Sequence, residues 1–169
     1  MSSRTANIEL GPGMSPRESA VDAIFRFCQA LDDNNEELLR SAFLQDGTVD
    51  LSGLSACTGK SYTDQTGIEN IVNGVFAHVG PIDSFHHLGN LRVKLNDGQN
   101  EAEVTVYSVA QHFKKGEGND PSNRNSVLMG NRYWADVVKP DDDDSDGLWR
   151  IRRIEVSNHW CEGDLAVLD

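Results

Sequence analysis

No stretch of this chain restricts its fold as tightly as the turn Asn96-Asp97-Gly98 and the two segments it joins. Ser84 to Leu95 and Glu101 to Phe113 alternate with the period of a strand, and Asn96-Asp97-Gly98 between them is a strong hairpin turn signal. Val127 to Val138 and Trp149 to Val156 supply two more strands. Polar connections separate them. Residues 114–126 (KKGEGNDPSNRNS) form one, and Asp141–Asp144 with Asp146 form another, a run of like charges that repels itself and belongs in a solvated loop. That run lacks the glycine and terminal Glu of an EF-hand, so no metal is assigned to it. The second half of the chain is therefore expected to be a long antiparallel meander.

The first half has the helical period instead. Ser15-Pro16-Arg17-Glu18 combines a capping box with proline at the first helical position. Val21, Ile24, Phe25, Cys28 and Leu31 follow at helical spacing, up to a break at Asp32-Asp33-Asn34-Asn35. A short helix is expected over Glu36 to Phe43 and a brief strand over Thr48-Val49-Asp50-Leu51. Thr66-Gly67-Ile68-Glu69 then caps a helix carrying Ile71, Val72, Val75 and Phe76, which ends before Gly80-Pro81. Helices first and strands second predict an α+β fold with three N-terminal helices on one face of an antiparallel sheet. Residues 1–14 have no periodicity and are expected to be a flexible arm, leaving 15–169 as one domain.

Charge and composition exclude several classes. Fifteen Lys+Arg against 27 Asp+Glu give a net charge of −12, the wrong sign for a phosphate-backbone partner, so no nucleic acid is expected. No run approaches the roughly 20 apolar residues of a membrane helix. The opening MSSRTANIELGPG lacks the apolar core of a secretory signal. Three cysteines (Cys28, Cys57, Cys161) form no framework, and a reducing, cytoplasmic location is expected. Nucleophile-elbow, dinucleotide and phosphate-loop motifs are all missing, and no organic cofactor is implied.

What remains is a small set of histidines and acids. Asp32 follows Phe25 and Cys28 by seven and four residues and so continues the stripe of the first helix. Its position leaves two roles open: a turn residue bonding local backbone, or an inward acid paired with a histidine. His112 alternates in phase with Ala102, Val104, Val106 and Ala110 and shares their inward face. Pairing Leu95 with Ala102 sets His87 opposite Ala110 and Phe85 opposite His112, which turns His87 inward. A bulge near Gly89 would reverse that parity and turn His86 inward instead. His78 ends a helix, where it favours the dipole, and no zinc-type ligand spacing appears.

Element order and local motifs resemble the cone-shaped fold of nuclear transport factor 2 and SnoaL-like proteins, and more specifically scytalone dehydratase and related dehydratases, isomerases and cyclases. The resemblance is carried by Trp149 to Trp160, by Asn131-Arg132-Tyr133-Trp134, by His86-His87-Leu88-Gly89, by Ala110-Gln111-His112 and by Asp32. It implies a curved sheet and helices enclosing one apolar pocket. Asp32, His86 and His112 would be catalytic, with His87 as the alternative to His86. Asn131 would hold a substrate oxygen, and His87, Asp50, Leu31, Leu51, Met129, Ala110, Val156 and Asn158 would also meet substrate. Leu31 and Leu51 stand where the dehydratase has tyrosines that hold the water polarising the substrate carbonyl, and Met129 replaces a serine. Those departures shift weight from dehydration toward isomerisation or cyclisation.

The expected activity is a cofactor-independent, metal-free transformation of a small, mostly apolar carbonyl compound by His/Asp acid–base chemistry, in natural-product biosynthesis. The alternatives are a pericyclic catalyst whose pocket orders a reactive substrate, and a non-catalytic binding or dimerisation module. A homo-oligomer, a dimer ahead of a trimer, is expected because Tyr107, Val109 and Phe113 make the second sheet face apolar as well. Loops 52–65 and 114–126 would shape the pocket.

Overall fold

Ser15 starts the first helix as its sequence requires. Its hydroxyl accepts from the Glu18 N–H at 3.3 Å, while its own N–H donates to the Glu18 carboxylate at 2.7 Å. A computed structural model describes Ile8, residues 13–141 and residues 146–169. Asp142–Asp144 of the acidic run, and most of the expected N-terminal arm, lie outside the described residues. Of that arm, Ile8 packs against the core.

The chain runs α1 (Pro16–Asp32), α2 (Glu36–Ala42), β1 (Phe43–Gly53), α3 (Ser55–Thr58), β2 (Gln65–Thr66), α4 (Ile68–Ile71), a π-helical turn (Val72–Phe76) and α5 (Ala77–Val79). Four long strands complete it: β3 (Asp83–Leu95), β4 (Glu101–Phe113), β5 (Ser126–Val138) and β6 (Arg150–Gly163). The strands form one curved, unclosed sheet in the order β2-β1-β6-β5-β4-β3. The architecture is α+β, as the change of period predicts. The sheet is not wholly antiparallel, because β1 pairs in parallel with β6. That pairing also extends β1 well beyond the four residues expected of it. A long-range partner supplies the strand with hydrogen bonds that its own sequence does not advertise.

Helix α1 buries Ala20, Ala23, Ile24, Phe27 and Leu31. Phe25, part of the stripe read from the sequence, is instead 43% exposed. The small residues Ala20, Ala23 and Ala30 set the packed face one step around the helix and let it approach the sheet closely. Arg26 is 3% exposed at that interface. Its guanidinium donates to Asp22 Oδ2 and Trp149 O, both at 2.6 Å, and to the Ser41 carbonyl. One buried cation thereby ties α1 to the end of α2 and the start of β6. Between helices and sheet lies the main core, in which Phe27 and Phe43 meet edge to face at 5.3 Å. Val127, Met129 and Val167 form a second, smaller cluster, where a C-terminal 3-10 turn (Leu165–Leu168) closes the far end of the sheet.

Two irregularities set the positions of the inward polar side chains. In the β3–β4 hairpin the register runs Val93↔Val104 and Arg92↔Thr105, then resumes at Gly89↔Tyr107 with one extra residue on β3. Asn90 carries the bulge with a φ of 52°. Past it, His86 faces Ala110 and Ser84 faces His112. In the third helical region the Gln65 carboxamide accepts from the Val75 N–H at 2.8 Å. It occupies the space a side chain on Gly74 would need, and the helix there opens into a π turn.

Candidate active site

Asp32 is the last residue of α1, and its carboxylate takes two hydrogen bonds from one partner. His86 Nδ1–H donates to Oδ1 at 2.5 Å, and the His86 backbone N–H donates to Oδ2 at 2.9 Å. This clamp fixes the ring and its tautomer, leaving Nε2 as an acceptor. The bulge at Asn90 is what brings His86 to Asp32 and turns His87 outward into solvent, opposite Val109.

His112 meets His86 edge to face, with ring centroids 5.4 Å apart. It is 4% exposed, and burial, reinforced by the neighbouring His86, lowers its pKa to about 4 although Asp32 pulls the other way. Its Nδ1 lies 2.9 Å from Ser84 Oγ. His112 is therefore a neutral imidazole at physiological pH. A polar chain continues along β5: Asn158 Nδ2 donates to Asn131 Oδ1 at 2.9 Å, and the buried Tyr133 hydroxyl donates to Ser108 Oγ at 3.2 Å. Burial raises the Tyr133 pKa, so its phenol stays protonated.

These groups border a cavity of about 320 Å³ between the helices and the sheet. His86, His112, Asn131 and Tyr133 form its buried polar end. Leu31, Leu51, Met129 and Val156, each named from the sequence, belong to its largely apolar wall together with Phe27 and Val75. Lys60 and His78 mark the exposed end, where Lys60 pairs with Asp169 at 2.6 Å and His78 Nδ1 lies 2.8 Å from the Gly74 carbonyl. Among the described residues no three His, Cys, Asp or Glu side chains are arranged to hold a metal ion.

Five residues expected at the pocket stand elsewhere. His87 points away because of the bulge. Asp50 sits on the outer side of β1, since its neighbours Val49 and Leu51 point inward and parity alternates. There it pairs with Arg153 at 2.6 Å, and hydrogen bonds from Ser52, aided by Arg153, hold its pKa below the ordinary value. Ala110 is buried opposite His86 and does not line the cavity. Asn158 supports Asn131 rather than lining the cavity. Asp32 itself stands behind His86, on the far side of the wall, where it borders an outer crevice.

Sequence reasoning missed Ser84, Tyr133, Lys60, Tyr62, Gln65 and the cavity role of His78. Ser84 and Tyr133 were within reach, each two residues from a chosen residue on the same strand face. Lys60, Tyr62 and Gln65 carry no periodic signal.

Residues 14–155 match the SnoaL-like domain. A Penicillium crustosum protein named Terrestric acid biosynthesis cluster protein E is 31% identical over 160 residues, spanning 95% of this chain and 94% of that relative. Among solved structures, a candidate scytalone dehydratase from Novosphingobium aromaticivorans superposes with a TM-score of 0.64 at 21% identity, over 85% of this chain and 84% of that one. A hexachlorocyclohexane dehydrochlorinase, LinA-type3 from Novosphingobium barchaimii, gives 0.62 at 18% identity, over 85% and 87%. The shared architecture is the nuclear transport factor 2-like cone.

Proposed function

This chain belongs to the SnoaL-like domain family, and from that premise we propose that it is a cofactor-independent lyase or isomerase acting on a small, mostly apolar carbonyl compound. The single observation that carries the reading is the two-point clamp of Asp32 on His86. A carboxylate that holds one nitrogen of an imidazole fixes its orientation and tautomer, and complements the positive charge that forms when the other nitrogen takes a proton. His86 Nε2 is then the base that takes a proton from carbon beside the carbonyl. His112, neutral and close by, faces the oxygen on which charge develops, with Asn131 beside it. The proton returns to carbon elsewhere in an isomerisation or cyclisation, or accompanies a leaving group in an elimination.

Two further considerations support this reading. The names of the two structural neighbours, a dehydratase and a dehydrochlorinase, both denote eliminations of that kind. The apolar wall around one polar end fits a metabolite of which only one face is oxygenated. The relative named for a biosynthesis cluster supports placing the reaction in natural-product metabolism. On the outer sheet face Tyr107, Val109, Trp134 and Trp160 are exposed together, and we read that face as the site of self-association into a dimer.

The test is proton exchange. The purified protein is incubated in deuterated buffer with a panel of small cyclic and aryl ketones and β-hydroxyketones, and deuterium on carbon is followed by mass spectrometry. Exchange or elimination by the wild type, absent in a folded His86→Gln variant, is the expected result. Equal turnover by both would remove His86 from the chemistry and the proposal with it.

A further inference from the structure

The two histidines are held by chemically opposite partners. Asp32 has only lone pairs to offer, so His86 must donate to it and carries its proton on Nδ1. Ser84 is a hydroxyl, 2.9 Å from Nδ1 of His112, and can donate or accept.

Three observations favour donation by Ser84. Among the described residues no other hydrogen bond of the Ser84 hydroxyl is seen, so its proton has the His112 lone pair as its acceptor within the protein. Ser84 borders the outer crevice, whose solvent can supply donors to the oxygen once its own proton is given to His112. Finally, the rings stand edge to face and both border the cavity, and His86, held through Nδ1 by Asp32, has its lone pair on Nε2. A second lone pair beside the first would repel it, whereas an N–H complements it.

Building on the proposed activity, we propose that Ser84 is a positioning residue whose hydroxyl donates to His112 Nδ1, fixing the His112 proton on Nε2. The cavity then offers one acceptor, His86 Nε2, and one donor, His112 Nε2–H. That pair matches an enolisable ketone, with its acidic C–H on the acceptor and its carbonyl oxygen on the donor. A neutral imidazole donor stabilises the developing oxyanion without requiring an imidazolium that burial disfavours. Serine on β3 is thus to His112 what Asp32 is to His86.

The assignment is tested first without substrate, by long-range proton–nitrogen NMR of protein labelled with nitrogen-15 histidine, using His112→Gln to identify the His112 signals. The wild type is expected to show His112 protonated on Nε2 and His86 on Nδ1. Ser84→Ala is expected to populate the other His112 tautomer, and Ser84→Thr to restore the first. A wild-type His112 protonated on Nδ1, or a tautomer indifferent to Ser84→Ala, overturns the assignment. In the exchange assay, Ser84→Ala is expected to lose about tenfold in kcat with little change in KM, and Ser84→Thr to recover most of it. Equal kcat for wild type and Ser84→Ala also overturns it. Failure of the wild type to exchange any ketone, with the NMR pattern intact, overturns the proposed activity and leaves the Ser84 assignment standing.

Discussion

A carboxylate at the C-terminal end of a helix is repelled by the helix dipole, and Asp32 is stable there because two donors from His86 offset that cost. Replacing it with Asn keeps the shape but removes the charge and offers an amide donor where an acceptor is needed. Asp32→Asn is expected to lower the exchange rate by about 10²–10⁴-fold with the fold intact, checked by initial rates and circular dichroism. His112 makes a separate prediction about stability. Its folded pKa, about 4, lies below the ordinary 6.5, so the unfolded chain takes up this proton first as pH falls. The stability at stake is fully present above pH 6.5 and is lost down to pH 4, roughly 3 kcal/mol in all. Urea denaturation of wild type and His112→Gln between pH 7 and pH 4.5 should show a shallower decline for the variant. Parallel declines would contradict it.

At the scale of elements, the Asn90 bulge decides which histidine enters the cavity. Asn tolerates a φ of 52°, and a β-branched residue does not. Asn90→Val is expected to cost about 1–2 kcal/mol in chemical denaturation, and Asn90→Gly well under that. Arg26 is the corresponding joint between α1, α2 and β6. Truncation to Ala leaves the Ser41 and Trp149 carbonyls without their donor and a cavity beside them. Arg26→Ala should therefore lose about 3 kcal/mol, and a loss below 1 kcal/mol would show that water replaces the guanidinium. The alternation of β3 and β4 and the Asp-Gly turn were legible because each is local. The bulge was legible only as a possibility beside Gly89, since a register shift appears in pairing and not in composition. The buried Arg26 was not legible at all, because on a helix a cation next to Phe25 looks like the solvent face.

For the whole molecule, the helices cover one face of the sheet, and the other exposes Tyr107, Val109, Trp134 and Trp160. Trp134 and Tyr107 flank the Arg132 guanidinium on the uncovered side, at 5.3 and 4.7 Å from their ring centroids. If that face joins two copies, sedimentation velocity should give a dimer, and paired Trp134→Glu and Trp160→Glu changes should give a folded monomer. A wild-type monomer at micromolar concentration would remove the dimer. Among the described residues no helix is long and apolar enough to cross a membrane.

Local sequence determined the order of helices and strands, the Ser15 capping box, the place of the hairpin turn and the inward face of β4 with His112, because periodicity and turn chemistry act over a few neighbouring residues. The expected Thr66 cap does not form, since its hydroxyl bonds Thr48 across the sheet. The resemblance to a family brought Asp32 and His86 together before any geometry did. Only the tertiary structure decided the parallel pairing of β1 with β6, the outward place of Asp50, the buried Arg26, and the Ser84 hydroxyl on His112. Each of these depends on partners distant in the chain, and the Ser84 contact depends also on a one-residue shift in register that inverts the side chains beyond it on β3.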